Sequence, residues 1–172
     1  MSTASAELRR EFDAAFALPA RAADEMLEDV IAIRVGSEGY VVRGRELSGI
    51  AESRKLAQVP SRAPDFLGLV SLRGLLVPVF GLPSLLGYST RAEPLRWLLL
   101  VGTDEPLALA FHALTGFSRL PKSAFSLAEG PGQARETVSV DGQVRVVIGV
   151  SALVASIRER LGRAAVEEGS VK

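Results

Sequence analysis

A chain of 172 residues, 48% of them apolar, can bury roughly 70% of its extended-chain surface, so its core needs no disulfide or metal. Twenty basic and twenty acidic residues cancel, and no stretch clusters Lys and Arg among aromatics as a phosphate-tracking surface would, which sets nucleic acid aside as a partner. The absence of cysteine excludes thiol catalysis, thiolate zinc sites and disulfides together, and it suits a reducing compartment.

Residues 1–28 read as a separate segment. Leu8, Phe12, Ala15 and Phe16 fall at helical spacing among charges and Pro19 stops the pattern, so a short amphipathic helix and a linker are expected. Phe12 and Phe16 would serve equally as a partner-binding stripe or as a staple onto the chain's own body. The segment lacks the apolar core of a signal peptide, and no run approaches the ~20 apolar residues that span a bilayer, so a cytoplasmic location without direct membrane insertion is expected. From Val30 the pattern changes to short β-rich runs punctuated by glycine. Val30–Val35, the turn Gly36-Ser37-Glu38-Gly39 and Tyr40-Val41-Val42 make a hairpin. A second strand pair flanks Arg73-Gly74, with Leu67–Leu72 before it and Leu75–Phe80 after it; Pro78, which has no N–H to give, predicts an edge or bulged position. Leu82–Leu86 makes one helical turn.

The same series then recurs. Trp97–Asp104 follows Ile31–Glu38 at sixty-six positions, with Gly102 on Gly36 and acid on acid. Leu114-Thr115-Gly116-Phe117 follows Leu47-Ser48-Gly49-Ile50 at sixty-seven, and Gly142–Val154 follows Gly74–Leu86 at sixty-eight. Chance reuse of hairpin patterns is the competing explanation, but three matches in order with a drift of two residues favour duplication. Each half holds several short strands and little helix, so two small packed barrels are the economical architecture, closure removing the sheet edges. Ser126–Arg135, with Gly130-Pro131-Gly132, reads as an exposed loop before a hairpin at Asp141-Gly142. Ser151–Leu161 reads as a closing helix, with Ser151 as N-cap and Leu153, Val154, Ile157 and Leu161 on one face, and beyond Arg163 a frayed tail is expected.

Residues that could carry chemistry do not converge. His112, the single histidine, lies in a strand-like run from Leu107 to Leu114, which favours a structural role over a catalytic base or phosphoacceptor. The glycine-rich stretches match no phosphate cradle, and Asp24-Glu25, Glu28-Asp29 and Asp104-Glu105 read as solvated charge. Trp97 opens a strand, where an indole fills a core or lines a contact groove. No catalytic residue, metal ligand or cofactor is assigned.

Gly68-Leu69-Val70-Ser71-Leu72-Arg73-Gly74-Leu75-Leu76-Val77-Pro78-Val79 resembles the G-x-x-N-L-R-G-x-x-x-P-V signature of CheW-like chemotaxis coupling proteins, and Val30–Tyr40 and Leu47–Ile50 resemble the family's opening strands. The resemblance implies a mostly β fold: two small five-stranded SH3-like β-barrels from an internal duplication, with an N-terminal and a C-terminal helix. The CheW-like domain would span 29–163, with a first barrel mainly in 29–90, a second mainly in 95–150, a closing helix 151–161 and a tail 164–172. It further implies a non-enzymatic adaptor that joins a chemoreceptor's cytoplasmic tip to the regulatory domain of a CheA-like histidine kinase. Matched to the family, Arg73, Trp97, Leu114 and Phe117 would face the receptor, and Leu47, Gly49, Ile50, Gly68 and Gly74 the kinase. Ser71 stands where the family has asparagine, and Gly81 and His112 where it has aspartate, each losing a short polar chain that bonds nearby backbone. A divergent module binding one partner only, as an insulator or surface-motility adaptor, is the first alternative; an unrelated small-barrel enzyme or ligand-binding protein is the second.

Overall fold

The computed structural model describes residues 26–89, 93–128 and 135–169. Its elements run β1 (Leu27–Val35), β2 (Glu38–Arg43), β3 (Gly49–Glu52), β4 (Phe66–Leu72), β5 (Leu75–Gly81), the one-turn helix α1 (Leu82–Leu85), β6 (Trp97–Val101), β7 (Leu107–Phe111), β8 (Ala113–Pro121), β9 (Phe125–Ala128), β10 (Arg135–Val140), β11 (Gln143–Ile148) and the long helix α2 (Val150–Gly169). The two-residue turns that close the β4–β5 and β10–β11 hairpins have φ > 0 at both central residues, Arg73 and Gly74 in one and Asp141 and Gly142 in the other. Left-handed turns of this kind match the natural twist of paired strands, so both hairpins form where the sequence places them. The expected N-terminal helix and the Gly130-Pro131-Gly132 loop lie outside the described residues, and β1 begins at Leu27, inside the segment read as linker.

The strands form two sheets, ordered β8-β1-β2-β11-β10-β9 and β3-β6-β7-β5-β4. Replacing each strand by its counterpart in the sequence repeat turns one order into the other, and an isolated bridge from Ala57 to Leu69 in β4 stands in for β9. The register repeats too: the parallel pair Val41↔Val147 in β2–β11 has its equivalent in Ala108↔Val79 in β7–β5. Each sheet therefore takes strands from both halves. The division near residue 90 marks the repeat in the sequence and not a border between barrels, because β2 and β7 each find their parallel neighbour in the other half.

Closed five-stranded barrels are not what the described strands make. Both orders are open, and β3 and β9, four residues each, end their sheets with one paired side. The sheets instead curl over small clusters of their own. In the six-stranded sheet Val30, Val41, Val138, Val140 and Val147 gather with Leu120 and Phe125; in the five-stranded sheet Val70, Val77, Val79, Leu98, Ala108 and Ala110 gather with Leu56 and Leu67. Between the sheets lies the largest cluster, with Ile31, Ile33, Val35, Val42, Phe80, Leu99, Leu109, Phe111 and Ile148, joined by Val150, Val154 and Ile157 of α2. The strict alternation of a strand thus feeds two cores at once, one from each face.

Several local expectations change. Pro78 sits opposite Leu69 in β5, an interior strand, and the bulge lies on β4 between Phe66 and Gly68, facing Phe80 and Val79. The missing N–H costs no ladder bond there, since pairing with β7 begins only at Val79, and on the other side Leu69 exchanges its bonds with Ala57 (3.0 and 2.8 Å). Helix α2 continues past Leu161 to Gly169, so the tail read from residue 164 is helical backbone as far as 169. Ser151 does not cap α2; its own N–H donates to Glu46 Oε1 at 3.0 Å, which places a carboxylate at the helix's positive end. Leu161 is exposed although it shares the periodic face. Glu28 is buried, with Arg43 Nε at 3.2 Å and Arg45 Nε at 3.0 Å, while Arg43 also pairs with Glu136 at 2.5 Å and lies over the Phe125 ring.

Candidate partner-binding surfaces

The residues assigned to partners fall into two places. Trp97 and Leu114 are half-buried against the central cluster, as are Leu47 and Ile50, so all four rim the seam between the sheets. Trp97 reaches it from β6, opposite Glu52 of β3 and Phe111 of β7; Leu114 reaches it from β8, opposite Ile33. Gly49, beside Ile50, packs its backbone against Leu100. Phe117 continues the row along β8 opposite Ile31, but it is 67% exposed, flanked by the Arg119–Asp29 ion pair at 2.7 Å. That guanidinium holds the Asp29 carboxyl below its ordinary range, chiefly through the hydrogen bond it donates.

Arg73 is elsewhere. Since β5 runs parallel to β7 with Val79 beside Ala108, the Arg73–Gly74 turn lies before β7 begins, whereas Trp97 lies beside its last residue, Phe111. By this register the turn and Trp97 are eight to nine strand residues apart, about 26–30 Å along the strands. Arg73 is exposed, and with Gly74 it tips a hairpin that overhangs the sheet, because β5 has no neighbour in β7 before Val79. The overhang leaves Leu75 and Leu76 exposed at 57% and 68%, and in the repeat it leaves Val144 exposed at 75%. Sequence reasoning passed over these residues; the signal was two leucines directly after a hairpin turn, ahead of a proline that delays pairing. Gly68, assigned to the kinase side, is buried at the β4 bulge with φ +135°, and a Cβ there would stand 2.5 Å from the Ala57 carbonyl oxygen.

His112 occupies the corner between β7 and β8, buried, with Nδ1 accepting the Gly36 N–H at 3.0 Å. Arg34 donates to the Gly36 carbonyl at 2.6 Å and to Glu93 at 2.7 Å, closing the same corner. Burial pushes the imidazole below its ordinary pKa, opposed by Glu93 and helped by Arg34, so the neutral ring with its proton on Nε2 is the form that fits. Nearby, Tyr40 and Tyr88 share a hydroxyl hydrogen bond, and desolvation with that bond lifts Tyr40 to about 12. Among the described residues no three of His, Cys, Asp and Glu converge as metal ligands would, and no helix is long and apolar enough to cross a membrane.

Two curled sheets with exchanged strands, a seam between them and overhanging hairpins make up a β module whose fold a solved structure shares. The crystal structure of the scaffolding protein TtCheW from Thermoanaerobacter tengcongensis superposes with a TM-score of 0.63 at 14% identity, covering 72% of this chain and 89% of that one. The CheW-like domain family model matches residues 29–158, so the chain belongs to the CheW-like domain family. No curated protein matches.

Proposed function

We propose that the chain is a chemotaxis-type coupling adaptor that works by binding and not by catalysis. The observation that carries this reading is the separation of two apolar surfaces, the seam rim and the overhanging hairpin, alongside family membership. The seam rim with Trp97, Leu114 and Phe117 suits the helical cytoplasmic tip of a chemoreceptor, a groove lined by half-buried apolar groups and bordered by an ion pair. The overhanging hairpin with Arg73, Gly74, Leu75 and Leu76 suits the regulatory domain of a CheA-like histidine kinase, apolar anchors beside a cation that can fork onto a carboxylate. This assigns Arg73 to the second surface, away from the groove residues with which the family pattern grouped it. Leu47, Gly49 and Ile50 lie at the seam and support the groove. Location in the cytoplasm, at receptor arrays, follows from such partners.

The test is a titration of the chain with a receptor tip, with a kinase regulatory domain, and with both together. Binding of each, and a ternary complex in which neither displaces the other, is expected. Binding of one partner only would leave the insulator or surface-motility reading in its place, and competition between the two would refute separate surfaces. Arg73→Glu should weaken the kinase domain and spare the receptor.

A further inference from the structure

Leu161 stays exposed although α2 buries Val150, Val154 and Ile157 on the same face. The reason is a gap beside it. Between α2 and the 53–65 connection lies a cavity of about 190 Å³, bounded by Phe80, Ile157, Ala63 and Leu161 and flanked by Arg62 and Arg160. Its walls are fixed before anything enters. The Asp65 carbonyl accepts the Gly81 N–H at 2.7 Å, the Ala63 carbonyl accepts the Phe66 N–H at 3.2 Å, and Ser61 Oγ accepts the Ala63 N–H at 3.1 Å. These bonds hold the end of the connection against β4 and β5. On the helix side Ile157 is anchored in the central cluster, and Arg160 Nη1 donates to Asp65 Oδ2 at 2.6 Å, tying α2 to the connection beside the cavity. A preformed cavity lined mainly by apolar groups with a few placed charges is the general form of a small-ligand site. None of the residues assigned to the receptor or the kinase lines it.

We propose that this cavity binds a small aromatic monocarboxylate, a single ring carrying one anionic group. Size sets the first limit. An apolar cavity of about 150 Å³ takes up benzene, so the space between α2 and the connection suits one ring with a short substituent. Phe80 sets the second. It already makes an edge-to-face pair with Phe66, ring centroids 5.5 Å apart, and a ligand ring lying against Phe80 extends that pair. Charge sets the third. Among the described residues that line the cavity, Asp65 is buried and compensated by Arg160, which leaves the exposed Arg62 as the unbalanced cation. One carboxylate on the ring balances it and takes the forked donors that a guanidinium offers, whereas an amine on the same ring meets two arginines and a single carboxylate. The occupied site joins the connection to α2, so the ligand stabilises the fold as its concentration rises. The inference stands apart from the adaptor reading, because it uses neither partner surface.

Phenylacetate is the probe, with 2-phenylethanol as its neutral counterpart and 2-phenylethylamine as its cationic one. In an NMR titration of the full chain, phenylacetate should shift the amides of Ala63, Asp65 and Leu161 saturably, with a Kd on the order of a millimolar or below, and leave Val144 in place. It should also raise the melting temperature of the chain. The alcohol should bind about threefold or more weakly, the scale of one partly exposed ion contact, and the amine more weakly still. Because Arg62 is exposed, Arg62→Gln should leave the fold intact, keep binding of the alcohol and remove the preference for the carboxylate. The absence of a saturable shift at these three amides would overturn the site. Equal affinities for the three probes, or a carboxylate preference that survives Arg62→Gln, would overturn the ligand class.

Discussion

At position 68 any side chain would meet the Ala57 carbonyl oxygen at 2.5 Å in a backbone conformation that L residues avoid. The opposing pair of bonds between Ala57 and Leu69 ties the 53–65 connection to β4, so relief by movement would break that bridge. Gly68→Ala is therefore expected to cost about 2 kcal/mol or more through strain and the lost bridge. Urea denaturation reads this directly, and a midpoint equal to the parent's would show that the bulge is not needed. At His112 the physics is one of protonation. The folded-state pKa lies below the unfolded value near 6.5, so the unfolded chain binds the proton more readily between the two. The contribution to stability is complete above about pH 6.5 and is lost as pH falls toward the folded-state value, where the imidazolium can no longer accept the Gly36 N–H. His112→Gln should flatten the part of the stability profile that falls away below about pH 6.5; an unchanged slope would assign the acid sensitivity to other groups.

At the scale of elements, what was legible followed from local rules. The hairpins at Arg73-Gly74 and Asp141-Gly142 formed where turn residues met alternating apolar runs, and α1 stopped after one turn, as read. The exchange of strands was not legible, because β2–β11 and β5–β7 are parallel pairs between distant segments, and a two-sided apolar strand reads alike beside any neighbour. The same two-sidedness hid which assigned residues would meet: Leu47, Ile50, Trp97 and Leu114 converge on the seam, while Arg73 lies at the far end of its sheet. The cap of α2 was illegible for a like reason. Its acceptor, Glu46, precedes the helix by more than a hundred residues and comes from the 3₁₀ turn Gly44–Glu46. Glu46→Ala should lower stability by about 1 kcal/mol, within the ordinary range for a lost N-terminal cap, with Glu46→Gln less affected because an amide oxygen can still accept the Ser151 N–H. Equal stability of the alanine variant in thermal melts would argue that water caps the helix as well.

For the whole molecule, duplication with strand exchange explains how a chain of this size can present two unlike surfaces. The seam and the overhanging tip lie at different ends of one interlocked fold, so on the proposed reading a partner bound at one would leave the other free. Phe117 and Leu76 are the sharpest probes of that arrangement, since both are exposed and neither belongs to the buried clusters, so that a charge at either should leave the fold intact. The deciding measurement is calorimetric titration of the Phe117→Asp and Leu76→Asp variants against a receptor tip and against a kinase regulatory domain. The account predicts a double dissociation: Phe117→Asp loses tenfold or more in receptor affinity, about 1.4 kcal/mol, and keeps the kinase domain, while Leu76→Asp does the reverse. Variants that weaken both partners equally, or neither, would contradict it.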